Sequence, residues 1–189
     1  MRPAVFLDRD GTLIEERGYL DRLELLDVFP WVPDAIRLLN RAGYATVVVT
    51  NQSAIGRAII DEPFVHQVHA ALDARLATGR ARIDAYYFCP HHPEAAIERY
   101  RQVCRCRKPG PGMIEQACRD LDLDPRRSVM VGDRWLDVAS GRAAGTRSVL
   151  VRTGHGAFEA DHQPADGKAD AILDNLMEAV GWILRNSSR

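Results

Sequence analysis

Two aspartates near the start of the chain, Asp8 and Asp10, directly follow a short apolar run. Residues 5–7 have the β-branched and aromatic character of a buried strand, and Gly11 indicates the turn after it. Side chains at positions i and i+2 of an extended segment point to the same side, so the two carboxylates can converge on one small site. Their mutual repulsion would be relieved by a bound cation or by a retained proton. The pair therefore predicts a reactive site at the carboxyl end of a strand, where ligands bind in open α/β sheets.

This arrangement suits phosphoryl transfer. One carboxylate can attack phosphorus to form an aspartyl-phosphate, the other can protonate the leaving oxygen, and Mg²⁺ can neutralise the phosphate oxygens. The sequence DRDGT at residues 8–12 resembles the first motif of the haloacid dehalogenase superfamily of phosphatases. The resemblance implies that Asp8 is the nucleophile and that Asp10 is the general acid and base.

A second polar group, Thr50, follows the apolar run at residues 47–49. Its hydroxyl and the backbone N–H groups of Asn51 and Gln52 could bind a phosphate oxygen, and preorganised donors of this kind typically contribute about 10²- to 10³-fold each to the rate. A helix cap is the structural alternative for a Thr-Asn turn. The position one strand after DRDGT matches the second motif of the superfamily.

Two further charged residues occur where the superfamily has its remaining motifs. Lys108 supplies a compact positive charge in a segment before a helix, and Arg107 beside it can make a bidentate contact to a substrate. Asp133 lies at another strand end in the pattern G-D-x-x-x-D, with Asp137 one helical turn further on. Oxygen ligands are those that Mg²⁺ prefers. The predicted magnesium ligands are Asp8, Asp10 and Asp133.

A loop at about residues 89–107 carries a candidate zinc site. Cys89 and His91 form one short-spaced pair, and Cys104 and Cys106 form another after twelve intervening residues. Structural zinc is bound tetrahedrally by cysteine and histidine ligands, and four protein ligands leave no open position for catalysis. His92 competes with His91 as the ligand, but the spacing favours His91. A zinc ion bound here would also fix the neighbouring Arg107 and Lys108.

The elements that position these groups alternate between strand-like and helix-like patterns, which is typical of a doubly wound, Rossmann-like α/β fold with a parallel sheet. We expect one domain over residues 1–189, with no separate cap domain because no insertion between motifs is long enough. The predicted strands are 5–7, 44–49, 83–88, 128–131 and 148–151, the predicted helices are 34–42, 62–78, 113–123, 136–144 and 172–184, and residues 153–168 are predicted to be a surface loop.

Some side-chain positions follow from the same periodicity. In the helix at 34–42, Ala35, Ile36, Leu38 and Leu39 are expected to face the core. His66 and His69 have helical spacing without metal-binding partners, and they are expected to be surface residues.

Composition narrows the class of protein. The formal net charge of −1 and the dispersed arginines give no electrostatic footprint for nucleic acid. No segment approaches eighteen consecutive apolar residues, and the N-terminus has no secretory pattern, so we expect a cytoplasmic protein with no membrane partner. We also expect a monomer that acts on a small molecule.

The combination of DRDGT, Gly18-Tyr19, TNQS, CPHHP, CRKP and GD is similar to the D-glycero-D-manno-heptose 1,7-bisphosphate 7-phosphatase family, over about residues 4–154. The resemblance implies a cytoplasmic, Mg²⁺-dependent sugar-phosphate phosphatase of heptose and lipopolysaccharide precursor synthesis, with a structural zinc loop in place of a cap. It implies substrate contacts from Asp8, Arg9, Asp10, Gly18, Tyr19, Thr50, Asn51, Gln52, Ser53, Arg107, Lys108 and Arg134.

Three alternatives remain open from the sequence. Histidinol-phosphate phosphatases share the same motifs and the zinc site, although their zinc loop is typically shorter. A zinc-stabilised binding module without activity would need no carboxylate, hydroxyl and amine groups at its strand ends. A polynucleotide phosphatase is disfavoured by the missing basic surface.

Overall fold

The computed structural model of the chain describes residues 1–187. Its centre is a six-stranded sheet in which every neighbouring pair of strands is parallel. The strands are β1 (Ala4–Leu7), β2 (Ala45–Asn51), β3 (Ala85–Cys89), β4 (Val129–Gly132), β5 (Arg147–Val151) and β6 (Ala171–Leu173). Their order across the sheet is β3-β2-β1-β4-β5-β6. This result confirms the predicted doubly wound α/β fold.

The helices cover both faces of the sheet. Helices α1, α3 and α7 pack on one face, together with Val5, Leu7 and Val48, while α4 packs on the other face against Phe6 and Val47. Helix α5 joins the α4 side through its contact with Leu150. The bounds are α1 (Val32–Arg41), α2 (Ser53–Gly56), α3 (Glu62–Thr78), α4 (Gly112–Leu121), α5 (Trp135–Ala143), α6 (Gly156–Asp161) and α7 (Leu176–Arg185).

The central strands read as almost continuous apolar runs because neither face meets solvent. All four residues of β1 and all four of β4 are buried. Strand β1 lies between β2 and β4, at the point where the order of strands along the sheet reverses. Ligands of open α/β sheets bind outside the carboxyl ends of the strands at such a point. The ends of β1, β2 and β4 therefore define where a site should lie.

Helix α1 corrects one predicted core position. Ala35, Ile36 and Leu39 are fully buried as expected, but Leu38 is 37% exposed. Leu38 lies two positions after Ile36, and a rotation of about 100° per residue carries it away from the face that the other three share.

The C-terminal region differs more from the prediction. The predicted helix at 172–184 begins too early, because residues 172 and 173 belong to the edge strand β6 (Ala171–Leu173). The strand predicted at 148–151, observed at Arg147–Val151, is therefore not the last one. The helix begins at Leu176, after the N-cap residue Asn175, whose side chain accepts a hydrogen bond from the Glu178 N–H at 3.1 Å. The predicted loop at 153–168 contains the short helix α6.

His69 was also predicted wrongly as a surface residue. It is 5% exposed and its ring stacks on Tyr86 with centroids 4.3 Å apart. His69 lies on the side of α3 that faces Tyr86 in β3, whereas His66 is exposed as expected.

None of the helices within residues 1–187 is both long enough and apolar enough to cross a membrane.

Candidate active site

The nucleophile candidate, Asp8, is fixed at the end of β1. Its backbone N–H donates to the Val131 carbonyl at 2.9 Å, which continues the pairing of β1 with β4 by one residue. The chain then turns sharply, and Gly11 adopts a φ of +79°. A Cβ atom on Gly11 would overlap the carboxylate of Asp133. Glycine is therefore required here both by the backbone conformation and by the approach of that acid.

Lys108 contacts Asp8 at the end of β1. It is 3% exposed, and its Nζ contacts Asp8 Oδ1 at 2.6 Å, Asp137 Oδ1 at 2.6 Å and the Val49 carbonyl at 2.9 Å. The loop that carries Lys108 is held to the end of β2 by a reciprocal pair of hydrogen bonds with the Asn51 side chain, at 3.0 and 3.1 Å. One buried cation thus neutralises two carboxylates that belong to different elements.

A third carboxylate, Asp133, completes a cluster in which ligand oxygens of Asp8, Asp133 and Asp137 all lie within 4.8 Å of one another. Asp133 is 1% exposed and accepts a hydrogen bond from the His155 N–H at 2.7 Å, and no ion pair within residues 1–187 joins it to a cationic side chain. A buried, unpaired carboxylate among other acids fits a hard divalent cation such as Mg²⁺.

The electrostatics of the cluster point the same way. Burial raises the pKa of Asp133 to about 8, and the negative charges of Asp8 and Asp137 add to the effect. Burial likewise raises the pKa of Asp8 to about 7, although the ammonium of Lys108 opposes the rise. A divalent cation would offset the repulsion between these carboxylates and would favour their ionised forms. Asp8 and Asp133 would hold the ion, which would supply charge neutralisation for a phosphoryl group.

Asp10 lies apart from these three carboxylates. Its carboxylate accepts hydrogen bonds from Arg9 Nη2 at 3.0 Å and from Gln52 Nε2 at 2.9 Å, with the Thr50 hydroxyl at 3.5 Å. The third carboxylate of the cluster is Asp137 instead. A contribution of Asp10 to a magnesium site stays a prediction.

One predicted phosphate donor is already used elsewhere. The backbone N–H of Gln52 donates to the Cys89 carbonyl at 2.8 Å, which extends the pairing of β2 with β3. The expectation that this N–H binds a phosphate oxygen is therefore wrong. The sequence could not reveal this because it does not show where β2 stops pairing.

These groups line a cleft of about 480 Å³ at the carboxyl ends of the strands. The twelve residues that the family resemblance implied as substrate contacts all border it, including Arg107 and Arg134 at its sides. Tyr19 is 44% exposed at the mouth. The structure thus brings together residues that are spread over more than a hundred positions of the chain.

The cleft is also lined by residues that the sequence analysis did not predict as part of the site, among them Glu16 and His155. His155 Nε2 lies 3.5 Å from Glu16 Oε2, so the segment after β1 meets the loop after β5 across the cleft. No motif indicated either residue. The only available signal was the Gly-rich composition of the loop after β5, which was read as an ordinary surface loop.

The second candidate metal centre forms as predicted from Cys89, His91, Cys104 and Cys106. Five of the distances between their sulfur and Nδ1 atoms lie between 3.1 and 3.7 Å. Ligands about 2.0–2.3 Å from a tetrahedral zinc ion would be separated by roughly 3.3–3.8 Å. The cluster therefore fits a closed structural zinc site. His92 lies outside it, with its Nδ1 accepting a hydrogen bond from the Glu94 N–H.

The zinc cluster is coupled to the cleft through Arg107. The Arg107 Nη1 donates to the His91 carbonyl at 3.1 Å, and the Arg107 N–H contacts Cys104 Sγ at 3.4 Å. A metal ion that fixes His91 and Cys104 would therefore also fix the direction of the Arg107 guanidinium. Such support of a functional side chain by a metal-bound loop explains why a cluster outside the reaction centre is present.

Comparison with known proteins agrees with this geometry. A family model described as HAD-hydrolase-like matches residues 105–179. The chain is 43% identical over 178 residues to a D-glycero-beta-D-manno-heptose-1,7-bisphosphate 7-phosphatase of Salmonella typhi, covering 93% of this chain and 92% of the relative. It is 39% identical over 181 residues to the protein of that name from Haemophilus influenzae, covering 95% and 94% of the two chains.

Solved structures give the same result. The D,D-heptose 1,7-bisphosphate phosphatase from B. bronchiseptica, complexed with magnesium and phosphate, superposes with a TM-score of 0.86 at 28% identity, covering 98% of this chain and 99% of that one. The D,D-heptose 1,7-bisphosphate phosphatase from Burkholderia thailandensis has a TM-score of 0.71 at 28% identity, with 97% and 99% covered.

The parallel sheet, the acidic cluster at its switch point and these likenesses define a phosphoric monoester hydrolase of the haloacid dehalogenase (HAD) superfamily. Within that class, the chain belongs to the D-glycero-beta-D-manno-heptose-1,7-bisphosphate 7-phosphatase family. The carboxylate cluster has a donor set that fits magnesium, and the Cys/His cluster has one that fits a structural zinc ion.

Proposed function

We propose that this protein removes the C7 phosphate of D-glycero-D-manno-heptose 1,7-bisphosphate through an aspartyl-phosphate on Asp8, in the synthesis of heptose precursors of lipopolysaccharide. The observation that carries the proposal is the 39–43% identity to phosphatases named for this substrate, over more than nine-tenths of both chains. The cleft adds support because every residue that the family resemblance implied as a substrate contact borders it.

We assign the role of nucleophile to Asp8. Its carboxylate borders the cleft at the end of β1, and Lys108 holds one of its oxygens at 2.6 Å. This contact fixes the direction of the carboxylate and favours its ionised form, which is the one that attacks phosphorus. Asp8 and Asp133 would hold Mg²⁺, which would supply charge neutralisation for the phosphoryl oxygens.

We assign the proton transfers to Asp10. Its side chain is 24% exposed beside the same cleft, so it can reach the oxygen that leaves phosphorus. In the first half-reaction Asp10 gives a proton to the sugar alkoxide as the P–O bond breaks. In the second it takes a proton from the water that attacks the aspartyl-phosphate, and inorganic phosphate leaves. Such proton transfer typically contributes about 10²- to 10⁴-fold to the rate.

The remainder of a bisphosphorylated sugar needs cationic partners. Arg107 and Arg134 both border the cleft, and both are only half-buried. Planar guanidinium groups suit bidentate contacts to phosphate or to vicinal hydroxyls. We assign these two arginines, with Gly18, Tyr19 and Ser53, to recognition of the substrate beyond the reacting phosphate.

The remaining expectations belong to the same proposal. With a net charge of −1 and arginines dispersed along the sequence, the protein is proposed to act in the cytoplasm on a small molecule, without nucleic acid or membrane. We propose that it is a monomer with a single domain. A non-catalytic binding module is disfavoured by the buried ion pair between Lys108 and Asp8, since a binding surface has no use for it.

The test is initial-rate phosphate release from both anomers of the heptose 1,7-bisphosphate and from histidinol phosphate, each with Mg²⁺. A preference for a heptose bisphosphate of at least tenfold in kcat/KM supports the proposal and identifies the anomer. A preference for histidinol phosphate would contradict the assigned substrate and leave the chemistry intact. Release that persists in Asp8→Asn would contradict the assigned nucleophile.

A further inference from the structure

Arg9, which stands between the two motif aspartates, borders the cleft but is almost completely buried. Its side chain is 2% exposed. Its Nε and Nη2 atoms donate to Asp10 Oδ1 at 3.3 and 3.0 Å, and Nη2 also lies 3.0 Å from Asp10 Oδ2. Within residues 1–187, Asp10 is the only acid that forms an ion pair with Arg9. Two of its three guanidinium nitrogens are therefore bound to the carboxylate of Asp10, whereas Nη1 has no hydrogen-bond partner among the described residues.

Gln52 holds the same carboxylate from another direction. Its Nε2 donates to Asp10 Oδ2 at 2.9 Å and to the Thr50 hydroxyl at 2.9 Å, and the residue is 5% exposed. Asp10 itself keeps 24% of its side chain exposed. The two donors are thus almost completely buried, whereas the acid they hold is partly exposed beside the cleft.

The surroundings of Arg9 offer it no competing acid partner. Burial lowers the pKa of His69 to about 3, and the positive charge of the nearby Arg9 adds to this effect. The imidazole is therefore neutral at physiological pH. Its ring stacks on Tyr86, whose hydroxyl is already bonded to Asp73 at 2.6 Å. Because His69 and Tyr86 are both neutral, Asp10 is the partner that fixes the guanidinium of Arg9.

We propose that Arg9 and Gln52 are positioning residues that aim the Asp10 carboxyl at the leaving oxygen, rather than substrate contacts as the family resemblance implied. This inference rests on the proposed function, in which Asp10 moves the protons. A general acid must lie within hydrogen-bond reach of the atom it protonates, so loss of one of its two supports allows it to rotate out of reach.

The proposal predicts a dependence on the leaving group. When the bond from phosphorus to a sugar oxygen breaks, the departing alkoxide is strongly basic and needs the proton of Asp10. When the same bond to 4-nitrophenol breaks, the phenolate is stable without a proton. Both reactions form the same bond between Asp8 and phosphorus. A variant that only misplaces Asp10 should therefore lose kcat/KM on the sugar phosphate and keep kcat/KM on the aryl phosphate, because kcat/KM reports only the steps up to phosphoryl transfer to Asp8. The hydrolysis of the aspartyl-phosphate, which also uses Asp10, is common to both substrates and affects kcat on both.

The experiment measures kcat/KM of Arg9→Met and Gln52→Leu on the heptose 1,7-bisphosphate and on 4-nitrophenyl phosphate, with Asp10→Asn as reference. We expect each variant to lose roughly 10²-fold on the sugar phosphate, mainly in kcat, and less than about fivefold on the aryl phosphate. Arg9→Lys should recover part of the loss, because it keeps the charge without the forked contact. Equal losses on both substrates, or a raised KM with unchanged kcat, would overturn the proposal.

Two controls keep the outcomes separate. Arg119→Met removes an exposed arginine on α4, and both rates should stay at the wild-type level. Thermal unfolding shows whether a variant folds, and if Arg9→Met does not, Gln52→Leu decides the question alone. If wild type does not hydrolyse the heptose bisphosphate, the proposed substrate fails, and glycerol 2-phosphate then serves as the alcohol ester in the same comparison.

Discussion

Lys108 Nζ lies 2.6 Å from Asp8 Oδ1, although the two residues are 100 positions apart in the chain. The same nitrogen lies 2.6 Å from Asp137 Oδ1 at the start of α5. All three side chains are buried, so each charge depends on the others for stabilisation. Loss of Lys108 would therefore leave Asp8 and Asp137 as buried acids without their cationic partner.

Lys108→Met should therefore impair both folding and catalysis. Removing one partner of a buried ion pair typically costs about 3–5 kcal/mol, because the remaining charge has no compensation. We expect the free energy of unfolding to fall by about that amount and kcat to fall by about 100-fold or more. Urea titration and phosphate release measure the two effects. The matched control is Lys168→Met, an exposed lysine that should change stability by less than about 0.5 kcal/mol. Wild-type activity in Lys108→Met would contradict the assigned role.

The Cys/His cluster should hold one zinc ion per chain. Cys106→Ser removes a ligand and should release the ion, lower the midpoint of thermal unfolding and raise KM by about tenfold, because Arg107 is no longer held in place. Metal analysis by mass spectrometry, a melting curve and substrate saturation measure these effects. Cys118→Ser changes the one cysteine outside the cluster and should keep the zinc. A protein that is isolated without zinc and is fully active would refute the assignment.

Gly11 should tolerate no side chain. Both Gly11 and Gly43 adopt a φ near +80°, but a Cβ on Gly43 meets no atom within 4 Å, whereas one on Gly11 overlaps the Asp133 carboxylate. Gly43→Ala thus measures the backbone cost alone, which we expect to be about 1–2 kcal/mol. Gly11→Ala should cost more than this and should weaken Mg²⁺ activation at least tenfold, because Asp133 must move. Equal effects of the two variants on the Mg²⁺ dependence of the rate would show that the contact is unimportant.

His69 should make the protein less stable in acid. Burial, followed by the charge of Arg9, lowers the pKa of His69 to about 3, whereas an unfolded histidine titrates near 6.5. Between these values the unfolded chain binds a proton that the folded protein does not, so stability falls as the pH drops below 6.5, by up to about 1.4 kcal/mol per pH unit.

His69→Gln removes this contribution. The difference in free energy of unfolding between wild type and the variant should therefore shift in favour of the variant between pH 7 and pH 5, as measured by urea titration. His66→Gln alters the exposed neighbour on the same helix and should show a much smaller shift. The same pH dependence in wild type and His69→Gln would contradict the lowered pKa, because it would mean that His69 binds its proton equally well in the folded and unfolded states.

Much of the fold and the site could be predicted from the sequence because they depend on local patterns. The strands around Asp8, Thr50 and Asp133 are apolar runs that end at polar residues, and parallel strands must bring those ends to one edge. The zinc cluster follows from short spacing between ligands of one type. Helix α3 was predicted with its correct bounds because a capping residue and a glycine delimit it.

The remainder depends on tertiary contacts that no local pattern encodes. Residues 171–173 form a strand only because β5 offers them an open edge, and the periodicity of the following helix ran through them. The burial of His69 depends on Tyr86, which lies in another element. Likewise, the direction of Arg9 and the use of the Gln52 N–H are settled by neighbours across the sheet edge.

The most direct test of the account is covalent trapping of the phosphorylated enzyme. Wild type is mixed with the heptose 1,7-bisphosphate and Mg²⁺, quenched with borohydride within one turnover and digested, and the peptide that contains residue 8 is analysed by mass spectrometry. The account predicts reduction of Asp8 to homoserine in wild type, no such product in Asp8→Asn, and loss of turnover in that variant. Turnover by wild type with Asp8 unmodified, or turnover that survives Asp8→Asn, would contradict the central claim.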